Sequence, residues 1–167
     1  MSYRSRPVSL YDWLLFLHML AAFALVSALV VFWTIGVVAR NVDRPSESLR
    51  YFRVAMPANI MIGIGTVGTL IFGVWLAIER DEYQVWDGWV LAALVLWAIA
   101  TELGRRGGMV YGEAAKLAGR LASEGRGDEP SAELRTLLQD RTAMALQALS
   151  SLGVLVILIL MIYKPGA

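Results

Sequence analysis

The sequence predicts an all-α protein: a bundle of four transmembrane helices with a cytoplasmic helical hairpin between spans three and four. Three observations lead there. Of the 167 residues, 57% are hydrophobic and only 17% charged, against about 25% charged in an ordinary soluble domain. Mean hydropathy is +0.58. The apolar residues are gathered into runs long enough to cross a hydrocarbon core, which takes roughly 18–20 helical residues. A helix is the fold that fits such runs, because lipid offers no partner for an unpaired backbone N–H or C=O.

The first run, Trp13–Ala39, holds 27 residues without a formal charge, and His18 is its only ionisable group. Arg4 and Arg6 before it resemble the basic region of a signal peptide. The run is too long for one, however, and Ala39-Arg40 offers no small-residue cleavage site. The expectation is a span that stays in the mature protein. The second run, Val54–Ile78, holds 25 residues, with Pro57 expected in its first turn, where a missing N–H costs little. The third, Gly88–Thr101, is shorter at 14. Trp86 and Trp89 flank its start and Arg105 and Arg106 its end, so it is expected to continue past Glu102 toward the basic pair. The fourth, Thr142–Tyr163, holds 22. The expected spans are 13–39, 54–78, 86–104 and 142–163, within one integral membrane domain covering 1–167.

Charge orients the bundle. The loop 40–53 and the loop 104–141 together carry eleven Lys and Arg, and the opposite side carries four. The positive-inside rule counts these residues, so loops one and three are expected in the cytoplasm of a bacterial inner membrane, with both termini outside. Loop three holds two helical patterns. Val110, Ala114, Leu117 and Leu121 recur at helical spacing, and "EGRGDEP" breaks the chain. Leu134, Leu137 and Leu138 then open a stretch with no breaker before Tyr163, so it is expected to run into span four. This hairpin is either a docking surface for a partner or lipid headgroups, or simply a cap on the bundle.

Small residues let helices approach in lipid. Gly65, Thr69 and Gly73 form a stripe at i, i+4, i+8, and Gly104, Gly108 and Gly112 repeat the spacing. Packing within the bundle and homo-oligomerisation are both open uses of these stripes.

Polar residues fall in two layers. His18 lies five residues past Trp13, about 7–8 Å below the outer interface. Span four returns Met161, Tyr163 and Lys164 to that level, span two reaches it at Gly73, and span three at Ala92 and Ala93. Small residues there leave room for something flat beside the imidazole. Imidazole and thioether both bind haem iron, and both suit copper. The alternative is a histidine that only hydrogen-bonds a neighbouring helix, with Lys164 snorkelling to the interface. The inner layer holds Asn59, Glu102 and Gln147. Glu102 is expected to pair with Arg53, Arg105 or Arg40. No soluble-enzyme motif appears, there is no cysteine, and a net charge of +1 gives no reason to expect nucleic acid as a partner.

"LLFLHMLAAF", "GWVLAALVLW" and "LILMIYKPG", in that order, resemble a bacterial family of predicted integral membrane proteins of unknown function. The resemblance runs from about Tyr11 to Gly166. That family is similar to the membrane domain of CopD-type copper-resistance proteins and to HemJ-type protoporphyrinogen oxidases, which are four-span haem b proteins. The resemblance implies His18 in the haem-ligand position and Lys164 near substrate or haem. Of the leucine-proline-arginine motif that follows the first HemJ-type span, "TIGVVAR" keeps only Arg40. What is implied is a scaffold able to hold haem b at His18, with Lys164 near it and no reaction specified; the depth reading adds Met161 to the candidate cofactor site. A cofactor-free accessory subunit of a larger membrane complex and a small transporter or copper handler, with His18 as the metal ligand, are the alternatives.

Overall fold

The computed structural model describes residues 9–79 and 84–165. Arg4, Arg6, Arg80, Asp81, Glu82 and Gly166 lie outside the described residues. Five helices follow in order: α1 (Leu10–Ala39), α2 (Pro45–Glu79), α3 (Gly88–Ser123), α4 (Ala132–Leu138) and α5 (Arg141–Tyr163). Among the described residues no strand occurs. Four segments are long and apolar enough to cross a membrane, α4 and α5 together making the fourth. In the most apolar window of each, only 11–22% of residues are buried, so most side chains face outward, as lipid requires.

Helix ends follow local chemistry. Ser9 caps α1 in a reciprocal box: its Oγ accepts from the Asp12 N–H, and its own N–H donates to the Asp12 carboxylate at 2.9 Å. Pro45 opens α2, where a missing N–H is harmless. The helix therefore begins nine residues before the expected span. This corrects the placement of Pro57, which stands well inside α2 rather than in a first turn. Its ring leaves the Arg53 carbonyl without the usual donor.

Span three and the first loop helix are one unbroken helix of 36 residues. Its glycines are tolerated, and nothing in it forces a stop until Gly125, which takes a positive φ of 78°. The expected continuity between the Leu134 pattern and span four is interrupted. α4 ends at Leu138, and Asp140 starts α5 by accepting from the Ala143 N–H at 2.7 Å.

One end of the bundle carries a dry core; it is called the cap end here. Leu134, Leu138, Ala114 and Ala118 are 0–1% exposed, and Leu117 and Leu121 join them around Ala39. The loops there are knitted by hydrogen bonds. The Ser46 N–H donates to the Gly127 carbonyl at 2.8 Å, the Ser131 N–H to the Asp43 carbonyl at 2.9 Å, and the Ser46 hydroxyl to Asp128 at 2.7 Å. The expected helical pattern of the third loop thus folds back onto the bundle and seals it.

Candidate functional site: an intramembrane cavity beside His18

Glycines set how closely the helices approach. A Cβ on Gly65 would lie 2.8 Å from Leu25 Cβ and 2.9 Å from the Ala21 carbonyl, so α1 and α2 meet backbone to backbone. α3 and α5 meet the same way. A Cβ on Gly107 would lie 2.9 Å from the Ala143 carbonyl, and one on Gly153 would lie 3.0 Å from Ala100 Cβ. The Ser150 hydroxyl donates to the Ala100 carbonyl at 2.7 Å across this joint. The Gly65 stripe is therefore spent inside the bundle. The Gly104, Gly108, Gly112 stripe is not the packed one. Gly104 meets Ser150, but Gly108 and Gly112 face open space, and Gly107 does the packing.

α2 and α3 also touch, and Trp97 Nε1 donates to the Thr66 carbonyl at 3.2 Å. The remaining pair, α1 and α5, is joined differently. Trp33 Nε1 donates to the Ser151 hydroxyl at 3.0 Å, Arg40 lies against Met144 Sδ at 2.9 Å, and Gln139 donates to the Arg40 carbonyl at 3.0 Å. All three bridges sit toward the cap end.

At the other end, where α1 begins and α5 stops, the four helices enclose a cavity of about 370 Å³. That lies within the usual range for a small-molecule site, roughly 300–1,000 Å³. Its wall is almost wholly apolar and includes Leu25, Leu70, Ala93, Trp97 and Ile157. His18, Met161 and Lys164 all line it. The depth reading holds for Gly73 and Ala93. Ala92 and Tyr163, expected at the same depth, are exposed and off the wall.

His18 is pressed against α2. A Cβ on Gly73 would lie 3.0 Å from its Cε1, 3.3 Å from Nδ1 and 4.0 Å from Nε2. A larger residue there would require the ring to shift by a few tenths of an ångström. Nδ1 thus faces the α2 backbone, and the Thr69 backbone lies within hydrogen-bonding reach of the ring. Nδ1 is nonetheless buried without a hydrogen bond of good geometry. Lys164 takes a left-handed turn that ends α5, with φ of 40°, and sets its ammonium 5.9 Å from the Trp89 ring centroid.

The inner layer splits. Glu102 bonds Arg105 and Arg106, each at 2.7 Å, and not Arg53 or Arg40. These groups are exposed, so the pairs contribute little to stability. Asn59 is exposed. Gln147 is buried, with Oε1 unpartnered beside a gap of about 10 Å³ near Arg40 and Tyr111, room for a single water. Among the described residues, no three His, Cys, Asp or Glu gather as a metal cluster.

No curated protein and no solved structure matches this chain. One family does, over residues 12–165, which take in all four spans and the whole cavity wall but for Tyr11. The chain is a multi-pass integral membrane protein and belongs to the family described as predicted integral membrane protein (DUF2269).

Proposed function

We propose that the protein binds a flat apolar cofactor, haem b or a related porphyrin, in this cavity, with His18 as the ligand. The observation that carries the reading is the placement of His18. An imidazole lines an apolar cavity, with Nδ1 against a helix backbone and Nε2 the nitrogen farther from it. Metal-binding histidines commonly have this arrangement, in which one ring N–H is turned to a backbone carbonyl and the other nitrogen is left for the metal. The Thr69 carbonyl is the candidate acceptor. Gly73 and Ala93 keep the adjoining wall low. Met161 and Lys164 line the same cavity, the thioether as a second soft donor and the ammonium at its rim. A haem bound there supplies one-electron chemistry. The chain's own part is to orient it, exclude water and tune it through the Nδ1 contact.

Orientation belongs to the same proposal. With eleven of fifteen basic residues on the segments 40–53 and 104–141 toward the cap end, that end faces the cytoplasm and the cavity opens toward the outer half of a bacterial inner membrane. A cysteine at Gly125 should then be shielded from impermeant reagents on intact cells. Labelling there would reverse the orientation.

The deciding measurement is the absorbance of detergent-purified protein. A Soret band that His18→Ala removes is the expected result. A band that survives the substitution overturns the ligand assignment. A colourless protein that takes up no added haemin favours the accessory-subunit reading instead, and bound copper by elemental analysis the copper reading.

A further inference from the structure

The cavity has four walls, and three of the four joints between them are closed by helix packing. α1 meets α2 at Gly65, α3 meets α5 at Gly107 and Gly153, and α2 meets α3 near Trp97. The fourth joint, α1 to α5, lacks the close backbone approach of the other three, and Trp33–Ser151 and Arg40–Met144 bridge it toward the cap end. Exposure marks the same place. Of the described residues lining the cavity, only Leu15, Met19 and Ile162 are exposed, at 39%, 46% and 74%. All three stand on α1 or α5 and none on α2 or α3. They stand on helices long and apolar enough to cross a membrane.

We infer that the cavity fills and empties sideways, through a slot between α1 and α5 rimmed by Leu15, Met19 and Ile162, and that its occupant is an amphiphile dissolved in the bilayer. The inference rests on the cavity being a binding site, as proposed above, but not on haem being what it binds. An apolar body sliding in from lipid never crosses water, and the bridges near the cap end hold α1 and α5 together while the slot widens. Leu15, Met19 and Ile162 make few contacts within the chain, so larger side chains there narrow the slot without disturbing the core.

The test uses the full chain in phosphatidylcholine vesicles that contain a phosphatidylcholine with a diazirine in its acyl tail. Photolysis followed by peptide mapping should place crosslinks on the cavity wall at Ala93 and Leu94, as well as on the outer faces. In the double variant Leu15→Trp, Met19→Trp the wall crosslinks should fall about tenfold while those on the outer faces persist. Crosslinks confined to the outer faces of the native chain, or wall crosslinks unchanged by the double variant, overturn the inference. If the double variant fails to fold by circular dichroism, Ile162→Trp alone serves on the opposite rim, judged by the same two outcomes. Haemin uptake is measured separately. Absence of a Soret band alongside wall crosslinks would sink the haem reading and leave the sideways route standing. A band alongside crosslinks confined to the outer faces would do the reverse.

Discussion

The two ends of the bundle are built from the same helices to opposite standards of packing. At the cap end Leu134 and Leu138 are fully buried, loops are tied by backbone hydrogen bonds, and the gap beside Gln147 is about the size of one water. At the end where α1 begins and α5 stops, the helices surround a cavity of about 370 Å³, and the residues that line it are mostly half-buried. The contrast teaches where stability and function reside. In lipid, apolar surface gains little from helix association, so a bundle must be held by close packing and hydrogen bonds wherever it is held at all. Concentrating that packing at one end frees the other to stay open.

The comparison can be broken at its strong end first. Leu134→Ala should cost about 2–5 kcal/mol, since a fully buried leucine leaves a cavity behind, whereas Leu94→Ala on the cavity wall should cost about 1 kcal/mol. Thermal unfolding in detergent reads both, and equal losses would mean the ends do not differ. Next in size, Gly65→Val should destabilise by about 1–3 kcal/mol by forcing α1 from α2. Gly73→Ala sharpens the contrast, because its effect should fall on binding. Its Cβ would press the His18 ring, weakening haemin affinity by about tenfold in a Soret titration with little change in melting temperature. Ser150→Ala should cost about 1 kcal/mol through the lost bond to the Ala100 carbonyl. Gly108→Ala faces open space and should be the mildest, stabilising by up to about 1 kcal/mol through helix propensity.

Much of the site was legible before any coordinates. A rise of 1.5 Å per residue in antiparallel spans suffices to bring His18, Gly73, Ala93 and Met161 to one level. Level, however, says nothing of rotation about a helix axis. That is why Ala92, at the depth of its neighbour Ala93, faces away from the wall, and why Gly107 rather than the Gly108 of the sequence stripe packs against α5. Pro57 misled for another reason. The apolar run begins at Val54, but a helix is not obliged to begin where its lipid-facing part does, and Pro45 is the better start.

By itself the sequence determined that this chain spans a membrane four times as helices and that a lone imidazole lies near one end. Long uncharged runs must satisfy their backbone internally, and helical rise then dictates depth. Only the tertiary structure decided which glycines are spent on packing, that α1 and α5 stay apart where the other neighbouring helices pack closely, and that the histidine lines a cavity. Those outcomes depend on how four helices rotate against one another, a choice made by side-chain contacts of a few ångströms that no single helix carries.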